Sequence, residues 1–287
     1  MLKKYSIKAP AKLNIGLKLT GRRSDGYHEL ISIMVPISLF DYLDFRLTSN
    51  NIKLICNGDY LVPADERNLA YRAAQDFFIL AGIHNQGLTI HLTKKIPVEA
   101  GLGGGSSDAA ATLLALNNIF HHPLTFNELH NTAVRLGADV AFFLERSPCI
   151  AKGIGDILEP IRNWPRYWYV IITPKLNIST SWVYQSLNLK LTTCKFGFII
   201  DQLRRGEIDL NALMVNDLEP IVISHFPLIG ALKKALLKAG AIGALMSGSG
   251  SSVFGIFTSS EQAYEAKDVL LSQQSGVIFV VKCTHYF

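Results

Sequence analysis

The chain has 287 residues, 49% hydrophobic and 18% charged, a size and composition that exclude disorder and fit a full core divided between two domains. No run reaches the roughly 18 uninterrupted apolar residues of a membrane span, and Met1 to Tyr5 leads into no long apolar leader, so a soluble, cytoplasmic protein is expected. The net charge of +5 is dispersed instead of gathered in one basic run, which argues against nucleic acid and suits a phosphorylated small molecule.

From Lys12 to Thr20 the residues alternate, with Leu13, Ile15, Leu17 and Leu19 on one face and Lys12, Asn14, Gly16 and Lys18 on the other, which predicts a half-buried strand. The turn signal Ser24-Asp25-Gly26 and the apolar run Leu30 to Ser38 continue a β-rich opening. A helix is expected from Arg67 to Leu80, closed by Gly82, followed by a short strand from Leu88 to Leu92. Next comes a glycine loop and a helix from Ser106 to about Phe120, with Ser106 or Ser107 as its N-cap. Leu124-Thr125 opens another helix, with Leu129, Ala133 and Leu136 at helical spacing and Gly137 as its stop. Cys149 to Pro160 leads into the second half. There strands (168–173, 241–246, 252–257, 276–282) alternate with helices (near 182–187, 227–239, 261–271), an α+β pattern. The boundary is placed near residue 158. Cys56, Cys149, Cys194 and Cys283 are scattered, without zinc spacing, and read as reduced, buried thiols.

The segment Pro97-Val98-Glu99-Ala100-Gly101-Leu102-Gly103-Gly104-Gly105-Ser106-Ser107-Asp108 reads as a phosphate cradle. Glycine at Gly101, Gly103, Gly104 and Gly105 lets the backbone approach a ligand closely. The helix that follows presents unpaired N–H groups and about half a positive charge to an anion. No lysine follows the glycines, so this is not the Walker loop, and the G-x-G-x-x-G spacing of a dinucleotide site fails as well. A flexible Gly/Ser linker is the alternative, but linkers are flanked by polar sequence, and this loop lies between Ile96-Pro97 and an apolar helix.

Asp139 follows a helix stop and opens an apolar run, where it serves either as a catalytic carboxylate or as the cap of a short helix. Lys12 and Asn14 share a strand face roughly 6 to 7 Å apart and face either a cleft or solvent. Tyr27-His28 can stack on a flat ring and bond its edge, with Tyr184 or Trp182 as a second aromatic. The run Met246-Ser247-Gly248-Ser249-Gly250-Ser251-Ser252 is either a hairpin turn or a loop that closes a site from the second domain. His121-His122, at a helix end, receives no role.

Pro97-x-x-Ala100-Gly101-Leu102-Gly103-Gly104-Gly105-Ser106-Ser107 resembles the phosphate loop of the galactokinase, homoserine kinase, mevalonate kinase and phosphomevalonate kinase superfamily. Ala9-Pro10-Ala11-Lys12-Leu13-Asn14, Gly21 to His28, Gly137-Ala138-Asp139-Val140 and Met246 to Gly250 extend the resemblance over nearly the whole chain. They narrow it to a branch acting on a cytidine-diphosphate-linked methylerythritol. The resemblance implies an α+β fold of two domains. Residues 1–158 would resemble domain 2 of ribosomal protein S5 and bind ATP, residues 159–287 would be ferredoxin-like, and the active site would lie in the cleft between them.

The implied reaction moves the γ-phosphoryl of ATP to the 2-hydroxyl of the methylerythritol unit, a step of the non-mevalonate isoprenoid pathway. By the same resemblance Asp139 takes or positions the hydroxyl proton and Lys12 polarises the pair. Asn68 and Lys94 contact adenine, while Pro97, Ala100, Gly101, Leu102, Gly103, Gly104, Gly105, Ser106 and Ser107 hold the nucleotide phosphates. Asn14 holds the polyol, Tyr27, His28 and Tyr184 hold cytosine, and Ser247 and Gly248 complete the acceptor site. ATP brings Mg²⁺, for which the sequence assigns no carboxylate, and a monomer or weak homodimer without nucleic-acid or membrane partners is implied. Ala141 replaces a common proline and Tyr184 a frequent phenylalanine, and Asp108 is expected to face away from the phosphates. A kinase of another small alcohol would lack Asp25-Gly26-Tyr27-His28. An RNA-binding module on an S5-like fold would have no need of Asp139.

Overall fold

The opening strand extends well beyond its alternating stretch. β1 (Lys4–Arg22) pairs antiparallel with β2 (His28–Thr48), from Lys4 opposite Arg46 to Arg22 opposite His28. The expected turn connects them, with Gly26 at φ +89° and the Tyr27 N–H donating to the Asp25 carboxylate at 3.1 Å. This computed structural model describes residues 4–49, 51–84, 86–187, 196–272 and 276–284; Cys194 lies outside them.

The chain continues through β3 (Ile52–Gly58), α1 (Leu69–Leu80), β4 (Gly87–Lys94), α2 (Gly104–Ile119), α3 (Phe126–Leu136) and α4 (Ala138–Glu145). The hairpin β5 (Cys149–Lys152) and β6 (Ile157–Pro160) completes a six-stranded sheet in the order β3-β4-β2-β5-β6, with β1 along the other edge of β2. The helix α2 is buried nearly all round, as its run of alanines and leucines permits. In contrast, α3 is amphipathic and buries Leu129, Ala133 and Leu136, the positions its spacing predicts.

The second half is built from β7 (Trp168–Thr173), α5 (Thr180–Gln185), α6 (Phe196–Arg204), α7 (Leu210–Leu213), α8 (Glu219–His225), α9 (Pro227–Lys238), β8 (Gly243–Met246), β9 (Val253–Phe257), α10 (Ser260–Leu271) and β10 (Val277–Lys282). Its four strands are antiparallel in the order β10-β7-β9-β8, the split arrangement of a ferredoxin-like domain. The fold is therefore α+β with two sheets, as expected. Among the described residues no single helix is long and apolar enough to cross a membrane.

Several local expectations are corrected. Within the Lys12–Thr20 stretch, residues 12–17 are buried on both faces, because Leu13 and Ile15 join the core shared with Ile171, Leu245 and Phe254 while Gly103 and Gly248 cover Lys12 and Asn14; Lys18 is half-buried and Thr20 exposed, as a half-buried strand predicts. Ser106 and Ser107 do not cap α2, whose cap is Gly103 in the left-handed region at φ +72°, with no side-chain bond to the helix. Asp139 is not a cap either. Gly137 takes that position, and Asp139 sits in the first turn of α4. The expected helix at Arg67 begins later, at Leu69, because the Asn68 side chain accepts from the Ala70 N–H and stops it there. Of the free thiols described, only Cys149 is fully buried; Cys56 and Cys283 are half-buried.

Candidate active site

A cleft of about 1320 Å³ runs between the two sheets' loops, lined by the N-terminus of α2, the first turn of α4, the β1–β2 turn and the β8–β9 loop. Its floor is set by glycine. Gly101 has φ +74°, and a methyl there would stand 2.1 Å from the Ser247 carbonyl oxygen. The Ser247 hydroxyl donates to the Gly101 carbonyl at 2.9 Å and accepts from the Asn14 backbone N–H at 3.3 Å. The run 246–252 is thus both things its sequence allowed. It is a hairpin connection between β8 and β9, and it is pressed onto the first glycine loop from the second domain. Ser247 itself is fully buried and acts as a clasp, while Gly248 and Ser249 reach the cleft wall.

The α2 N-terminus needs no side-chain cap if an anion satisfies it. Its first intrahelical bond runs from the Ser107 N–H to the Gly103 carbonyl at 2.9 Å, so the N–H groups ahead of it are the ones helix geometry leaves without intrahelical partners. Gly103 to Ser106 line the cleft there, with Pro97, Ala100 and Gly101 leading in, whereas Leu102 and Ser107 are buried behind the wall. The Ser107 hydroxyl is buried without a partner.

Lys12, on β1, extends beneath this loop, its ammonium 3.4 Å from Oδ2 of Asp139 and bonded to Oδ1 of Asn14. Lys12 is buried, whereas the Asp139 side chain keeps 38% of its surface open to the cleft. The Asn14 amide donates to Ser32 at 2.8 Å, and Ser32 donates on to the Gly16 carbonyl. The buried polar face of β1 is therefore a continuous bonded chain ending at an accessible carboxylate.

On the opposite side, the rings of His28 and Tyr184 lie 5.4 Å apart at 30°. Burial, and secondarily the Arg22 charge, lowers the His28 pKa. The ring therefore stays neutral near pH 7, with one donor and one acceptor nitrogen. Burial, with the charge of Asp139 second, pushes the Tyr184 phenol up to about 12, so it remains a donor. Tyr27, 63% exposed, stands at the mouth. Trp182 does not join this group; it packs on His225 and Phe226 instead.

Asn68 and Lys94 line the far end, with most of their polar atoms already engaged. The Asn68 amide caps α1 and donates to the Pro63 carbonyl at 2.8 Å. The Lys94 ammonium is bonded to Asp41 and, at 2.7 Å, to Asp108. Asp108 is turned against Lys94, not toward the loop's open end.

Burial, reinforced by Asp41 and opposed by Lys94, pushes the Asp108 carboxyl up to about 8. In the unfolded chain this proton leaves near pH 4, so the group's contribution to stability falls as pH rises from about 4 to 8. Thermal melts of Asp108→Asn against wild type should therefore show the difference moving in favour of the Asn variant from pH 5 to about 8 and levelling off above that. A difference independent of pH would refute this.

Sequence reasoning missed the supports of the second glycine loop. The Asn216 amide donates to the carbonyls of Met246 and Gly248 at 2.9 and 2.8 Å, and Glu219 accepts from the Met246 N–H at 2.9 Å. Asp41 was missed as well, although a lone carboxylate within Leu39-Phe40-Asp41-Tyr42 was a readable signal.

A glycine-rich helix N-terminus facing a Lys–Asp pair, between an S5-like and a ferredoxin-like domain, defines a small-molecule kinase of the GHMP class. Matches to the models of the GHMP kinases N terminal domain over residues 68–146 and the GHMP kinases C terminal domain over 199–275 agree. A 4-diphosphocytidyl-2-C-methyl-D-erythritol kinase from Syntrophotalea carbinolica is 45% identical, covering 96% of this chain and 98% of its own. One from Citrifermentans bemidjiense is also 45% identical, covering 92% and 94%. The crystal structure of a 4-(cytidine 5'-diphospho)-2C-methyl-D-erythritol kinase superimposes with a TM-score of 0.80 at 35% identity, covering 98% of this chain and 100% of its own. A homoserine kinase from Cytophaga hutchinsonii shares the fold at a TM-score of 0.79 and 21% identity. The chain belongs to the 4-diphosphocytidyl-2-C-methyl-D-erythritol kinase family.

Proposed function

We infer that the protein phosphorylates the 2-hydroxyl of 4-diphosphocytidyl-2-C-methyl-D-erythritol with ATP, giving the 2-phosphate and ADP, in the non-mevalonate pathway of isoprenoid precursor synthesis. The observation that carries this reading is the Lys12–Asp139 pair, 3.4 Å apart, in the same cleft as the α2 N-terminus and the His28–Tyr184 aromatic pair. Phosphoryl transfer depends chiefly on alignment and on charge stabilisation, and both are built into the fold here. The ATP phosphates lie on the loop from Gly101 to Ser107, with Pro97 and Ala100 framing its entry and the adenine toward Asn68 and Lys94. The N–H groups and dipole of α2 hold negative charge on the transferred oxygens.

Asp139 orients the 2-hydroxyl and takes its proton, and the Lys12 ammonium offsets the negative charge gathered there. Asn14 is held by Lys12 and Ser32 in one orientation and bonds the polyol, with Gly248 leaving room beside it. Ser247 contributes by holding the two glycine loops together. Cytosine stacks on Tyr27 and Tyr184, with its edge at the neutral His28 ring.

Mg²⁺ accompanies ATP. Among the described residues no cluster of three metal-ligating side chains is present. The cleft-lining carboxylates outside other ion pairs or buried clusters are Glu99 and the half-open Asp139, a sparse set that suits an ion held mainly by phosphate oxygens and water. Mg²⁺ supplies charge neutralisation when bound. A cytoplasmic monomer or weak homodimer, without nucleic-acid or membrane partners, completes the reading. A division at residue 158 would cut β6, and the change of sheet favours one slightly later, between Pro160 and Trp168.

Phosphorus NMR with Mg-ATP and, separately, the cytidine-diphosphate methylerythritol, mevalonate and homoserine tests the assignment. A new phosphomonoester is expected only with the first acceptor. ATP binding without product in any tube would overturn the reading. Base stacking contributes roughly 1 to 3 kcal/mol, so Tyr27→Ala should raise the acceptor KM by about 5- to 150-fold and leave the ATP KM unchanged. A rise in the ATP KM instead would move the ring to the other subsite.

A further inference from the structure

Of the cluster of Asp41, Lys94 and Asp108, only Lys94 is assigned a ligand above, at the adenine end, yet all three side chains are 2% exposed or less. Two carboxylates share one ammonium, and Oδ1 of Asp108 is buried with no partner. Replacing such a cluster by apolar side chains commonly leaves a protein as stable or more so, so stability alone does not account for it. Its connections point to position. Asp41, on β2, accepts through Oδ1 from the backbone N–H groups of Lys95 at 2.6 Å and Ile96 at 2.9 Å, the residues that lead from β4 into the glycine loop. Lys94 ends β4, and Asp108 lies one turn into α2. The head of α2 rests directly on this support: a methyl at Gly104 would stand 3.0 Å from Cγ2 of Ile96 and 3.2 Å from the Lys94 ammonium.

We propose that Asp41 and Asp108 are positioning residues for the nucleotide, acting through Lys94 to lock the first turn of α2 to the end of β4 and so set the place of the phosphate-binding N–H groups. The inference rests on the assignment of ATP to this helix end. Both ends of the glycine loop are then anchored, the entry by Asp41 and the exit by Asp108. Among the described residues the cluster's hydrogen bonds and ion pairs run to β4, α2 and the start of the glycine loop, away from the acceptor side, which therefore keeps its geometry when the lock is broken.

Calorimetric titration of Mg-ATP into wild type, Asp108→Ala and Asp108→Asn, with steady-state kinetics on each, tests it. Asp108→Ala should weaken Mg-ATP at least tenfold while the acceptor KM stays within twofold, and Asp108→Asn, which keeps the shape and a bond to Lys94, should recover most of that loss. Unchanged ATP affinity, or an acceptor KM raised as much as that of ATP, would overturn the proposal. Should Asp108→Ala not fold, amide exchange in Asp108→Ser, whose side chain is too short to reach Lys94, decides. Exchange of the Ser107 amide, bonded to the Gly103 carbonyl, should be at least tenfold faster than in wild type, and an equal rate would overturn the lock. The titration reads ATP directly, so wild type that binds ATP but phosphorylates none of the acceptors would refute the acceptor assignment and leave this inference standing.

Discussion

Asp139→Asn is expected to lower kcat by about 10²- to 10⁴-fold, the range over which a positioned acid or base contributes, while the Kd for Mg-ATP stays within twofold. The substitution keeps the size of the side chain and removes its ability to take a proton. Asp139 lies in the first turn of α4, partly open to the cleft, with Lys12 as its ionic partner at 3.4 Å. Lys12 retains its bond to Asn14 in the variant, so the polar face of β1 should stay in place. Turnover within tenfold of wild type would show that a loose transition state needs no base at this position.

Gly101→Ala is expected to damage the protein in two ways at once. Gly101 has φ +74°, where a side chain is strained, and the added methyl would stand 2.1 Å from the Ser247 carbonyl and 3.0 Å from that of Gly250. Both obstacles are backbone atoms and cannot swing aside. Strain and forced separation of the loops together should cost roughly 2 to 4 kcal/mol of stability, and kcat/KM for ATP should fall at least tenfold. Gly105→Ala is the contrast. A methyl there meets nothing within 4 Å, and alanine favours a helix over glycine by up to about 1 kcal/mol. Its melting temperature should be equal or higher, yet its ATP KM should rise about tenfold, because the methyl occupies the space that phosphates approach. Equal stability of the two variants would contradict the packing described at Gly101.

Much of this was legible in the residues. The glycine loop before an apolar helix announced an anion site, since both the backbone freedom and the helix dipole are local properties. The turn at Asp25-Gly26, the amphipathic helix with Leu129, Ala133 and Leu136, and the alternating strands of the second half follow from local periodicity and turn chemistry. Motif resemblance then named the candidate residues that periodicity left ambiguous, above all Asp139 and Lys12.

Other features were set by contacts between distant segments. The alternation from Lys12 to Thr20 describes a half-buried strand, and the approach of residues 102–103 and 247–248 is what buries its polar face at Lys12 and Asn14. The cap of α2 is Gly103 and not a serine, because the loop's left-handed turn leaves the helix end open. Asn68 and Lys94 are spent largely on α1 and on the carboxylates of Asp41 and Asp108. No local pattern pairs residues 41, 94 and 108. Short-range periodicity and turn propensity thus determined the elements and the identity of the phosphate loop, whereas burial, charge pairing and the cleft itself depend on which surfaces meet, and that is decided by the packing of the two sheets.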